Sequence, residues 1–104
     1  MLELQPPTEL IRQVFPEEPE IMLAIAFCES SLNPRAVNEN IKDGKVWSRD
    51  YNLFQINDYY HEESAKKMGL DIKTVSGNIK YARHLYDLNH LSDWSASRKC
   101  WHNS

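Results

Sequence analysis

Ile21-Met22-Leu23-Ala24-Ile25-Ala26-Phe27-Cys28-Glu29-Ser30 runs eight successive apolar residues into a carboxylate and a hydroxyl. Pro19, just upstream, suits the first turn of a helix, where its missing N–H would have had no partner. Downstream, Asn33-Pro34 stops that helix, because the residue before proline avoids the α region. A surface helix carries a polar stripe along one side. This segment has none for two turns, so every face should be covered and the helix should be the central, buried one. Eight residues are also far fewer than the roughly 20 that a membrane-spanning helix needs.

The rest of the chain must be built around that helix. With 104 residues, it is the size of one domain, residues 1–104. Three Gly, five Pro, 26% charged and 41% hydrophobic residues exclude low-complexity and disordered classes. A net charge of −3, with no basic run, argues against nucleic acid as a partner. The first 15 residues have no basic region ahead of an apolar stretch, so they do not read as a signal peptide, and localisation stays unassigned.

Thr8 is placed to cap a short helix over 9–15, stopped by Pro16. Asp43-Gly44, between Ile41-Lys42 and Lys45-Val46, is a strong hairpin signal and predicts one small antiparallel sheet. Helical patterning resumes over 61–68, with Glu62/Lys66 and Glu63/Lys67 four apart and Gly69 as the stop. Ser76 or Asn78 should cap a further helix that repeats Ile79, Ala82, Leu85, Tyr86 and Asn89, and Asp93 a last turn over 94–101. The fold class is therefore α+β, helix-dominated, with a central buried helix and one small antiparallel β-hairpin sheet.

Glu29 is the residue this architecture does not explain. The final turn of a buried helix exposes a carboxylate both to desolvation and to unpaired backbone carbonyls. Both raise its pKa, which is what a general acid working near neutrality requires; the structural alternative is a buried ion pair with Arg35 or Arg49. Asp50, at the end of the second hairpin arm beside Tyr51 and Asn52, is the second carboxylate, in a polar setting. Two acids in contrasting surroundings suit glycoside cleavage: one protonates the leaving oxygen, the other faces the developing positive charge.

Other clusters carry less. His61-Glu62-Glu63-Ser64-Ala65 lacks the second histidine of a zinc-protease helix, Gly44 does not fit a calcium loop, and no metal site is expected. All four histidines read as surface or packing residues. Cys28 and Cys100 match no zinc pattern and leave two options: one disulfide between the central helix and the C-terminal turn, or two buried thiols. Trp47, Tyr59, Tyr60, Tyr81 and Trp94 are candidates for stacking on sugar faces or for the core.

Glu29-Ser30-Ser31-Leu32-Asn33-Pro34-Arg35-Ala36 is similar to the E-S-x-x-N-P-x-A of soluble lytic transglycosylase domains. Asp50-Tyr51-Asn52-Leu53-Phe54-Gln55-Ile56-Asn57 is similar to the D-Y-G-x-x-Q-I-N of animal-type lysozymes and small phage and bacterial relatives. In this order, about twenty residues apart, the two stretches make the chain resemble the lysozyme-like superfamily. The resemblance implies a peptidoglycan-cleaving glycosidase without cofactor, a monomer acting on glycan strands, with Glu29 as the acid, Ser30 orienting it, and Asp50 as the second carboxylate. It further implies Tyr51, Asn52, Gln55 and Asn57 on the sheet side of a sugar groove, with Tyr81 and Trp94 as further contacts. Asn52 stands where the family usually has Gly, a position that calls for positive φ, which Asn tolerates. A lytic transglycosylase and a non-catalytic wall-binding or virion module are the alternatives; the acidic charge favours the latter, and the missing A-Y-N-A-G segment weighs against the former. A phage lysis protein that accumulates in the cytoplasm fits the sequence read so far.

Overall fold

The computed structural model describes residues 5–102; the outer residues on which the leader reading partly rests, 1–4, lie outside them, as do 103–104. Helix α1 (Pro7–Val14) begins one residue before the expected Thr8 cap. Pro6 occupies the cap position, and its carbonyl takes the Glu9 and Leu10 N–H groups at 3.0 and 3.2 Å, so Thr8 is already inside the helix. Proline's fixed φ makes it a better first-turn residue than a threonine cap is an initiator here. Phe15 leaves the helix and is fully buried.

Helix α2 (Pro19–Ser30) is the expected apolar helix, and it packs against α1 and the C-terminal elements. Met22, Ile25, Ala26 and Ser30 are buried along it. One face stays open, however: Phe27 is 59% exposed, so full apolarity did not demand full coverage. The helix ends in two consecutive left-handed residues, Ser31 (φ 58°) and Leu32 (φ 58°), whose N–H groups return to Phe27 at 2.7 Å and Ala26 at 3.4 Å. Left-handed backbone costs a non-glycine residue about 1 kcal/mol, and Ser31 is exposed. Ser31→Gly is therefore expected to stabilise the protein by roughly 0.5–1 kcal/mol in urea unfolding.

The sheet has three antiparallel strands in the order β1 (Val37–Lys42), β2 (Lys45–Tyr51) and β3 (Ile56–Asn57), one more than a hairpin. Asp43 (φ 54°) and Gly44 (φ 74°) are both left-handed, as the turn favoured between right-twisted strands requires. Lys42 pairs with Lys45 and Ile41 with Val46, but Asn40 pairs with Ser48. Trp47 is the extra residue of a bulge, and the slip turns Asn38 and Asn40 onto the face of Ser48 and Asp50. Asn52 (φ 70°) and Gln55 (φ 51°) turn the chain between β2 and β3.

Asn57 then caps α3 (Asp58–Lys67), its side-chain oxygen accepting the Tyr60 N–H at 3.1 Å, so this helix starts three residues before the expected His61. Glu62 reaches Lys73 at 3.8 Å across the following loop. Helix α4 (Val75–Asn89) is capped by Thr74, which accepts the Gly77 N–H at 3.0 Å; neither Ser76 nor Asn78 caps it. Asn78 is fully buried one turn further on. Its amide donates to the carbonyls of Tyr51 (2.9 Å) and Ile72 (2.8 Å), and its oxygen accepts the Phe54 N–H (2.9 Å). An asparagine that ties helix to turn in this way is unavailable for capping. A 3₁₀ segment, Ser92–Ser97, with Leu91 rather than Asp93 at its start, leads into α5 (Arg98–Trp101).

The core gathers Ile11, Phe15, Met22, Ile25 and Ala26 from the first two helices. Leu53, Phe54 and Ile56 come from the sheet turn, Ile79, Tyr81, Ala82 and Leu85 from α4, and Trp94 and Trp101 from the C-terminal segment. Cys28 and Cys100 are joined by a disulfide, which fastens α5 to the end of α2.

Candidate active site

The last turn of α2, the polar face of the sheet and the 3₁₀ segment enclose a groove of about 230 Å³. Glu29 and Asp50 both line it, with Phe54, Gln55, Ile56, Asn57, His61, Leu85, Asp93, Trp94 and Ala96. Glu29 is half-buried. Burial raises its carboxyl pKa; the Ser97 hydroxyl, donating to Oε2 at 2.6 Å, pulls it back down, and the negative charge of Asp50 pushes it up again. Among the described residues no arginine pairs with it: Arg49 lies against Glu39 at 3.3 Å instead.

Asp50 sits among amide donors. Asn57 Nδ2 donates to one oxygen at 2.8 Å and Asn40 Nδ2 to the other at 3.3 Å, and both asparagines also reach Ser48 Oγ at 3.1 and 3.0 Å. Gln55 is held with equal care: Nε2 donates to the carbonyls of Asn52 (2.9 Å) and Ala36 (3.3 Å), and Oε1 accepts from Asn38 at 2.6 Å. Side chains fixed by several hydrogen bonds need little reordering when a ligand arrives.

Of the residues expected here, Glu29, Asp50, Gln55, Asn57 and Trp94 come together in the groove. Trp94 is almost fully buried, tilted against Phe54 at 5.7 Å, and forms the floor. The others do not. Ser30 is buried, with its one hydroxyl hydrogen within reach of the carbonyls of Ala26 (2.9 Å) and Leu53 (2.8 Å), so it ties α2 to the sheet turn and is spent on backbone rather than on Glu29. Asn52 is buried, donating to the Lys73 carbonyl at 3.0 Å and accepting the Leu53 N–H at 2.7 Å, so its polar groups serve the turn. Tyr51 carries the Lys73 ammonium 5.1 Å from its ring centre and packs on the core. Tyr81 is a core residue whose hydroxyl meets His61 Nδ1 at 3.0 Å. Trp47, Tyr59 and Tyr60 contact one another in an exposed cluster, with ring centres 5.0–6.2 Å apart, outside the groove lining.

Sequence reading also overlooked four residues. Ser97 approaches Glu29 from 68 positions away, and Asn40 reaches Asp50 only through the bulge. His61 and Asp93 line the groove; burial pushes the His61 pKa down, while Asp93 pulls it up. Among the described residues, no three His, Cys, Asp or Glu side chains converge as metal ligands.

A family model described as a lysozyme-like domain matches residues 14–97, the groove and all three elements around it. The chain belongs to the lysozyme-like domain family. Membership points to a peptidoglycan-acting glycosidase or transglycosylase in general. Among solved structures, the chain is similar to a calcium-binding lysozyme from equine milk, at 23% identity and a TM-score of 0.60 over 98% of this chain and 92% of that one. This likeness establishes the lysozyme-like fold. Comparison with curated protein sequences finds no match.

Proposed function

We propose that this lysozyme-like domain cleaves the β-1,4 bond between N-acetylmuramic acid and N-acetylglucosamine in peptidoglycan, acting as a monomer on glycan strands. The observation that carries the reading is the contrast across the groove: a half-buried Glu29 with a raised pKa shares it with Asp50, whose oxygens are met by two amides. In this reading Glu29 gives its proton to the glycosidic oxygen as the bond to the anomeric carbon breaks. Asp50 lies on the side where positive charge develops on the sugar ring. Glu29, now a carboxylate, takes a proton from the water that attacks the anomeric carbon, which restores the acid. The proton balance closes on these two side chains and one water. Gln55, Asn57 and His61 supply polar contacts to the sugars, and Trp94 and Phe54 an apolar floor.

Digestion of purified peptidoglycan followed by mass spectrometry of the fragments tests this. Reducing muramic acid ends are the expected product. Terminal anhydro-muramic acid would replace hydrolysis with transglycosylation, in which the substrate's own hydroxyl takes the place of water. Absence of any cleavage would leave a glycan-binding module. Asp50→Asn is expected to lower kcat about 10²-fold with a small change in KM, since it removes charge that matters most at the transition state.

A further inference from the structure

The geometry points to Ser97 as a positioning residue for Glu29, one that holds the carboxyl in place through both of its protonation states. This inference rests on the reading of Glu29 as the acid. Ser97 closes the 3₁₀ segment, and its Oγ lies 2.6 Å from Glu29 Oε2, 3.2 Å from the Trp94 carbonyl and 3.1 Å from Trp101 Nε1. A hydroxyl has one hydrogen to donate and lone pairs to accept with, whereas an indole N–H only donates. Trp101 therefore always points a hydrogen at Oγ or at the Trp94 carbonyl, 3.1 Å away, and fixes where Oγ sits.

The hydroxyl's own hydrogen is then left to point at Glu29 Oε2. With Glu29 ionised, the Ser97 hydroxyl donates to the carboxylate. With Glu29 protonated on its other oxygen, Oε2 becomes the carbonyl oxygen of the acid and still accepts the serine hydrogen, more weakly, while the acidic proton stays free for the glycosidic oxygen. The same three heavy atoms serve both states, so Glu29 keeps its aim while it first loses and then regains a proton. The anchor is covalent as well: Cys100, three residues beyond Ser97, is bonded to Cys28, the residue before Glu29. Ser97 is absent from the groove lining, which separates it from residues that meet the sugars.

The test compares the parent protein with Ser97→Ala, Ser97→Thr, Trp101→Phe and Glu29→Gln on purified cell walls across pH, together with a carbon-13 NMR titration of the Glu29 carboxyl. Ser97→Ala should lower kcat about 10-fold with KM within about twofold, the loss of one hydrogen bond to a charged group. Its alkaline limb and its NMR midpoint should both move to higher pH, because the carboxylate has lost a donor. Ser97→Thr should restore the parent midpoint and most of kcat, and Trp101→Phe should shift the midpoint in the same direction by less. A Ser97→Ala midpoint equal to the parent's, or a threonine variant as impaired as the alanine one, overturns the inference. Because the titration needs no turnover, it decides even for a protein with no measurable activity. If Ser97→Ala does not fold, a Trp101→Phe midpoint that stays put overturns it. Full activity in Glu29→Gln sinks the functional reading itself, whereas an inactive Glu29→Gln beside an unaffected Ser97→Ala sinks only the role of the serine.

Discussion

Glu29→Gln should lose wall-lytic activity by 10²-fold or more while becoming more stable at neutral pH. The first effect follows from chemistry, since an amide of nearly the same shape has no proton to give, and general acid catalysis contributes about 10²–10⁴-fold. The second follows from linkage. The folded protein raises the pKa of Glu29 above its unfolded value, chiefly by burial. A group shifted in this direction contributes its stability below the unfolded pKa, about 4.3 for glutamate, and that contribution fades as pH rises through the folded value. Above the unfolded pKa, folding the parent therefore costs either the partial desolvation of a charge or the uptake of a proton, and glutamine carries neither cost. The variant is expected to gain roughly 0.5–2 kcal/mol in urea unfolding at pH 7, with the gain shrinking towards pH 4. The parent's activity should fall along an alkaline limb set by the same group. A variant that is inactive but no more stable at neutral pH would show that Glu29 is not strained by its surroundings, and parent-like lysis would remove it from the chemistry.

How far the sequence foretold this site depended on how each contact is made. Glu29 was legible because its anomaly is local: an acid that continues an apolar run announces itself within one helix. Asp50 was legible at the end of the hairpin arm, and Gln55 and Asn57 only through the resemblance of 50–57 to lysozyme-like sequences; one strand, one turn and two residues of a neighbouring strand place all three. Asn40 was not. A two-residue turn at Asp43-Gly44 puts residue 40 opposite residue 47 by simple counting, on the wrong face for Asp50, and only the bulge at Trp47 moves it opposite Ser48. No local rule predicts that slip, because it answers to packing across the sheet. Ser30 and Asn52 erred in the opposite direction. Both stand beside the right neighbours in sequence, but their side chains are spent on backbone groups that the turn around Leu53 would otherwise bury unpaired. Ser97 was invisible for a third reason. Its partner lies across the return of the C-terminal segment, whose position was left open for as long as Cys28 and Cys100 could be read as free thiols.

That C-terminal closure carries the other large effect. The bond between Cys28 and Cys100 spans 72 positions, so in the unfolded chain it closes a long loop. By the chain-entropy relation, such a loop is worth about 4 kcal/mol, a large share of the total for a domain of this size. Replacing both cysteines with serine, or reducing the intact protein, should therefore lower the melting temperature by roughly 15–30 °C in scanning calorimetry. Cys100 is exposed, so dithiothreitol has access to the bond without prior unfolding. Function should respond before the fold does. The two ends of the clamp flank Glu29 and Ser97, so a reduced protein that is still folded at 15 °C is expected to lose kcat while its KM stays near the parent value. Reoxidation should restore both. A reduced protein with the melting point and kcat of the oxidised one would mean that helix packing alone, through Trp94 and Trp101, holds the C-terminal segment against α2.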